Sequence, residues 1–156
     1  MEGKKRVAII ASKGTLDMAY PPLILATTAA AMGWEVGIFF TFYGLDILNR
    51  NKVRKLKVAP LGNPAMPVPV PNIVGAIPGM TALATWMMKR MMRRQQMPPI
   101  TEMLDLARRS GVKLFACTTT MGIMGVADSD LIEGSECAGA ATFLDYAVEA
   151  QVTLFI

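Results

Sequence analysis

Residues 7–40, VAIIASKGTLDMAYPPLILATTAAAMGWEVGIFF, decide the fold. Residues 7–11 form an unbroken apolar run of strand type, and Ser12, Lys13, Gly14 and Thr15 follow as a turn. Asp17 is placed to cap or open a helix that runs to about Met32 and stops at Gly33. Pro21 and Pro22 are expected in its first turn, where proline is best tolerated. Aromatic and β-branched residues return from Trp34 to Phe40, which reads as a second strand. A strand, a helix and a strand in that order make a right-handed crossover joining parallel strands.

Outward from this unit, Thr41, Phe42, Tyr43 and Gly44 lead into a short helix through Leu48. Residues 58–88 carry no charge and include Pro60, Pro64, Pro67, Pro69, Pro71 and Pro78, so an irregular loop is expected, with a helix from about Gly79. These prolines interrupt the roughly 20 apolar residues that a membrane-spanning helix needs. The helix over 80–96 has two faces: Leu83, Ala84, Met87, Met88 and Met91 recur at helical spacing, and Lys89, Arg90, Arg93 and Arg94 gather on the other side. The favoured expectation is that the methionines fill a core or oligomer contact while the charges face water; peripheral membrane contact or an acidic partner is the alternative. Pro98 and Pro99 break this helix, and another opens at Thr101 and Glu102 and ends at Ser110 and Gly111. A strand over 112–116, a turn-like stretch with a short strand near Ile132, a helix over 138–150 and a closing strand over 152–156 complete the pattern. Strands alternating with helices predict a single α/β domain over 1–156, doubly wound on a mainly parallel sheet, with a Pro/Met-rich insertion at about 51–98.

The chain has 156 residues, 53% of them hydrophobic and 18% charged, an apolar excess that requires extensive burial, an oligomer interface or membrane contact. The first apolar run breaks at Ser12 and Lys13, too early for a signal-peptide core, and a cytoplasmic location is expected. There is no histidine, which removes Ser-His-Asp and Cys-His catalysis and most zinc sites; no metal or organic cofactor is expected. The net charge of +4 is unevenly spread, with no acidic residue from Asn51 to Thr101 and no basic one from Leu114 to Ile156. No aromatic residue interleaves the basic ones after Trp86, so nucleic-acid binding is not expected.

Residues 113–126, KLFACTTTMGIMGV, carry the chemistry. A strand delivers Cys117 to a helix start, where unpaired N–H groups favour thiolate over thiol. In an open parallel sheet, ligands gather beyond the C-terminal strand ends, and four loops are expected there, at 12–15, 41–44, 117–121 and 134–137. Both cysteines then lie at that edge, without CxxC spacing, a usage that suits a thiol function in a reducing compartment. Cys137 is expected just before a helix, and Lys13 is the nearest positive charge that could lower a thiol pKa or hold an anionic substrate. Thr118, Thr119 and Thr120 surround the helix start, and Tyr43 ends a neighbouring loop. Blander roles stand beside these: Cys117 as an inert buried strand end, Cys137 as a small residue packing a helix start, Lys13 as a solvated loop residue and Tyr43 as packing.

The chain resembles the DsrE/DsrF-like family, in particular its DsrE2-type branch of sulfur carriers and sulfurtransferases. The resemblance rests on Phe40-Thr41-Phe42-Tyr43-Gly44-Leu45, the Pro-, Met- and Arg-rich excursion, Ala116-Cys117 with Thr120-Met121 and Met124-Gly125-Val126, and residues 138–144, AGAATFL. It implies a compact three-layer α/β sandwich that assembles into homo-oligomers. Cys117 then aligns with the sulfur-bearing cysteine, which holds sulfane sulfur or a thiosulfonate covalently and relays it to a partner, such as a small sulfur-carrier protein or a persulfide donor. Gly122 departs from the aspartate expected after the methionine, Cys137 is not a position the family requires, and no Thr-x-x-Cys motif supports a peroxiredoxin activity. Two rival readings remain: a non-catalytic oligomeric module docking through the basic helix, and a dithiol redox sensor, which needs the two cysteine Cα atoms within about 7 Å.

Overall fold

Each central strand alternates its side chains between two apolar faces, and the computed structural model, which describes residues 3–60 and 72–156, shows both faces covered. Strands β1 (Arg6–Ala11), β2 (Glu35–Phe40), β3 (Lys113–Cys117), β4 (Ser135–Ala138) and β5 (Val152–Phe155) form one sheet in the order β4-β3-β2-β1-β5. All four pairings are parallel, with Ile9 beside Ile38 and Leu154, Phe39 beside Phe115, and Ala116 beside Cys137. Val7, Ile9, Ala11, Val36, Ile38, Phe40, Leu114 and Ala116 point to one face; Ala8, Phe39, Phe115 and Cys117 point to the other.

Helices α1 (Leu16–Ala31) and α3 (Ile100–Arg109) cover the first face. In α3, Ile100, Met103, Leu104 and Ala107 recur on one side and are buried there. Helix α5 (Ala140–Ala147) covers the second face through Phe143 and Tyr146. The division follows from crossover handedness. Helices α1 and α3 step the chain one way along the sheet, and α5 carries it back past three strands to the far edge, so right-handed connections put α5 on the opposite face. The expected α/β class, three layers and parallel sheet are therefore observed.

Several local expectations change. Helix α1 begins at Leu16 with Thr15 at its N-cap, so Asp17 lies inside the first turn and Pro21 and Pro22 fall in the second. The short helix expected to run through Leu48 is present as a 3-10 helix over Phe42–Ile47, beginning earlier than expected, with Leu48 as its C-cap. No strand forms near Ile132; Leu131 makes only an isolated bridge to Asn49, and the fourth strand lies at Ser135–Ala138. The proline-rich loop expected before Gly79 lies partly in residues 61–71, outside the described residues. Beyond it stands α2 (Met80–Arg94), and among the described residues no helix is long and apolar enough to cross a membrane. A short helix, α4 (Thr118–Met124), follows β3 directly.

At the N-terminal strand edge, Arg6 donates to Glu35 at 3.0 Å, to Glu149 at 2.7 Å and to the Tyr146 carbonyl at 3.1 Å, with its guanidinium over the Tyr146 ring. Lys113 adds an ion pair to Glu35 at 3.4 Å. Polar strapping thus sits at one edge of the sheet, and the thiol lies at the other.

Candidate functional site at the C-terminal sheet edge

The loops leaving β1 and β2 are pressed together. A side chain on Gly14 would collide with the Tyr43 carbonyl, and one on Gly44 with the Ala11 carbonyl, so neither position has room for a Cβ. The Thr41 N–H donates to that Ala11 carbonyl at 3.0 Å, which fixes where Thr41 emerges from β2. Phe42 next to it has φ +46°, a left-handed value unusual for a bulky residue, of the kind that marks functional loops. Its N–H donates to Thr120 Oγ1 at 3.0 Å, and Thr41 Oγ1 lies 3.1 Å from the same oxygen. The loop after β2 is thereby tied to the first turn of α4.

Cys117 ends β3 beneath this junction and is 6% exposed. Burial pushes its thiol pKa up, but hydrogen bonds from the Thr120 hydroxyl and N–H, the Thr41 hydroxyl and the Thr119 N–H outweigh burial and hold it below the ordinary thiol value. The Phe42 N–H occupies a lone pair of Thr120 Oγ1, so the single proton of that hydroxyl is free for Thr41 or the sulfur. Thr120 is 1% exposed and faces inward, whereas the side chains of Thr118 and Thr119 are exposed. The site can therefore hold a sulfur anion with hydroxyl and backbone donors alone.

Cys137 stands differently from expectation. It lies inside β4, with Ala138 and Gly139 still separating it from α5, so it does not sit at a helix start. Its Sγ donates to Asp128 Oδ1 at 3.0 Å and lies 3.8 Å from Met121 Sδ. The hydrogen bond to Asp128, with burial and the carboxylate charge, pushes its pKa up, because the thiolate would face a negative group. The register places Cys137 beside Ala116 and Cys117 beside Ala138, so the two sulfurs project to opposite faces of the sheet. A disulfide needs converging Cβ vectors, and these diverge.

Lys13 and Tyr43 are exposed and line an open cleft of about 490 Å³ with Asp17, Met18 and Asp46. Neither belongs to the set of groups that lower the Cys117 pKa. Gly122 has open space where a side chain would begin, so nothing in the packing demands glycine there. Among the described residues no cluster of His, Cys, Asp or Glu could hold a metal ion. Thr41 and Asp128 are the residues that sequence reasoning missed as thiol partners. A hydroxyl at the C-terminal end of β2 was the available signal for Thr41, but using it required knowing that β2 neighbours β3.

The fold and the site define an α/β protein with one hydroxyl-cradled thiol at a parallel sheet edge. The chain belongs to the DsrE/DsrF/DrsH-like family, whose sequence model matches residues 3–155. It is 45% identical over 159 residues to the sulfur carrier protein DsrE2 of Allochromatium vinosum, covering 98% of this chain and 99% of that protein. It is 32% identical over 165 residues to the uncharacterized protein YrkE of Bacillus subtilis, covering 99% of each. The crystal structure of the ychN protein from E. coli superposes with a TM-score of 0.63, covering 97% of this chain and 99% of that one; at 13% identity this is a likeness of fold.

Proposed function

We propose that this protein is a sulfur carrier that takes sulfane sulfur onto Cys117 and passes it to a partner protein. The observation that carries the proposal is the placement of Cys117 at the end of β3 and the start of α4, beside the joined Thr41 and Thr120 hydroxyls; these groups favour the thiolate. The likeness to a sulfur carrier protein over nearly the whole chain supports it. In the loading step the Cys117 thiolate attacks the outer sulfur of a persulfide, R–S–SH. The donor S–S bond breaks, R–S⁻ leaves and takes the proton, and Cys117 retains the sulfur as a persulfide anion with no net oxidation. Tetrathionate loads an S-thiosulfonate by the same displacement: the thiolate attacks one of its two inner sulfurs, the central S–S bond breaks and thiosulfate leaves. The donors that favour the thiolate also face the anion of the loaded state, so stabilisation is electrostatic and needs no general base. Lys13, in the neighbouring cleft, offers a positive charge to an anionic donor. Transfer to an acceptor thiol reverses the displacement, which makes the protein a carrier and, with a defined acceptor, a sulfurtransferase.

The proposal includes a cytoplasmic, homo-oligomeric protein. Thiols persist in that compartment. Leu144, Val148 and Phe155 are 64%, 81% and 73% exposed on or beside the short α5 layer, apolar surface that a second copy would cover.

Intact mass spectrometry after incubation with polysulfide or tetrathionate tests the reading. Wild type and Cys137→Ser should each gain a sulfur adduct that dithiothreitol removes, and Cys117→Ser should gain none there. An equal adduct on Cys117→Ser, or none on the wild type, refutes it.

A further inference from the structure

We infer that Cys137, Met121 and Asp128 form a binding site for a soft monovalent metal ion, Cu(I), on the sheet face opposite the Cys117 thiol. Three elements bring the side chains together: Met121 is carried by α4, Asp128 by the 3-10 turn Asp128–Asp130 and Cys137 by β4. The Cys137 Sγ lies 3.8 Å from the Met121 Sδ and 3.0 Å from the Asp128 Oδ1. The chain between these residues is pinned at several points. The Val126 N–H donates to the Met121 carbonyl at 2.9 Å, the Ala127 N–H to Asp130 Oδ2 at 3.0 Å and the Arg50 N–H to the Asp130 carbonyl at 2.8 Å. Met121 is 7% exposed and packs on the main core, so its thioether is presented from beneath, and the exposed Cys137 and Asp128 leave a path in from solvent.

Ligand chemistry selects the occupant. A thiolate and a thioether are soft donors that favour Cu(I), whereas a structural zinc site calls for four ligands drawn from Cys, His and carboxylates. Cys137 and Asp128 supply two groups of those types, and the third ligand is the thioether. With metal–sulfur bonds of about 2.3 Å, sulfurs 3.8 Å apart subtend an angle of roughly 110° at the ion, which leaves the third side of a trigonal arrangement to the carboxylate oxygen. Charge points the same way. Among the described residues Asp128 is in no ion pair, and the sequence from Leu114 to Ile156 contains no basic residue to offset it. A bare thiolate at Cys137 is disfavoured by this carboxylate, and a cation held between the two groups removes the repulsion. Binding exchanges the Cys137 proton for the ion and releases that proton to solvent, with copper staying in its monovalent state.

Anaerobic titration of the full chain with Cu(I) in competition with bathocuproine tests this. A Cys117→Ser background leaves Cys137 as the sole thiol able to respond. That protein should hold one Cu(I) per chain, and adding Cys137→Ser should abolish the binding. Met121→Leu, which keeps the buried volume, and Asp128→Asn should each weaken it by about tenfold or more. X-ray absorption at the copper edge should show two sulfurs at about 2.3 Å in the Cys117→Ser protein and one fewer once Met121→Leu is added. Zn(II) in excess should not displace the ion. Cys137→Ser alone should still accept sulfur on Cys117, so failure of the metal site and failure of carrier function are read separately. Absence of copper binding, equal binding in the Cys137→Ser protein, unchanged affinity in Met121→Leu or a single sulfur around the copper in the Cys117→Ser protein overturns the inference.

Discussion

At Cys117 two effects oppose each other: burial disfavours the thiolate, and the hydroxyls of Thr120 and Thr41 with the N–H groups of Thr120 and Thr119 favour it and prevail. The hydroxyl of Thr120 is the first of these donors, so Thr120→Val should shift the pH profile of Cys117 alkylation upward. The same change removes the acceptor of the part-buried Phe42 N–H, a loss of about 1 kcal/mol that thermal denaturation would register. Thr119→Val is the control, because Thr119 acts through its backbone N–H and should leave the profile unchanged. An unchanged profile in Thr120→Val would remove the hydroxyl from the account. Linkage gives the same sign for stability. A folded-state thiol pKa below the unfolded one contributes stability that is complete above the unfolded value and is lost as pH falls through the folded value.

At the scale of elements, the second face of the sheet depends on one short helix. Phe143 of α5 is 3% exposed, stacks on Phe39 with ring centroids 4.7 Å apart and meets Phe115 edge-on. Phe143→Ala should cost about 3–5 kcal/mol in urea denaturation. It should also speed alkylation of Cys117, which belongs to the same cluster, and protection of the thiol by α5 is wrong if that rate is unchanged. The elements legible beforehand share one property, a long apolar or amphipathic pattern; β1, β2, β3, α1 and α3 all have it. Strand β4 does not. Glu136 and Cys137 are exposed on a four-residue edge strand, so SECA offers no apolar run, and only pairing with β3 makes it a strand. On α2 the periodic stripe divides: Met88 packs on the core, and Leu83, Met87 and Met91 are exposed, because periodicity shows that a face exists but not how far the core reaches across it.

Over the whole molecule, the charged strap and the thiol occupy opposite edges of the sheet. Burial pushes the Glu35 carboxyl up, but the hydrogen bond and charge of Arg6, with Lys113, hold it below the usual carboxylate range. A depressed folded pKa means the stabilisation is present above the unfolded value and is lost as pH falls through the folded one. Arg6→Met should therefore destabilise the protein by about 1–2 kcal/mol near neutral pH, with the gap to wild type closing in acid, as measured by urea titration at each pH. A gap that stays constant into acid would assign the loss to packing on Tyr146 instead. Glu149, whose side chain is 70% exposed, adds little to the strap.

By itself the sequence determined the α/β class, the parallel strand-helix-strand unit, the family resemblance and the placement of Cys117 at a strand end, because each is written in local periodicity or a contiguous motif. Tertiary structure alone decided that Thr41 and Thr120, 79 residues apart, share one hydrogen bond above the sulfur. It also decided that Cys137 faces away from Cys117 and that Lys13 belongs to a neighbouring cleft. These outcomes depend on strand order and register. Both are set by the packing of distant segments, and a shift of one residue in β4 would turn Cys137 to the other face of the sheet.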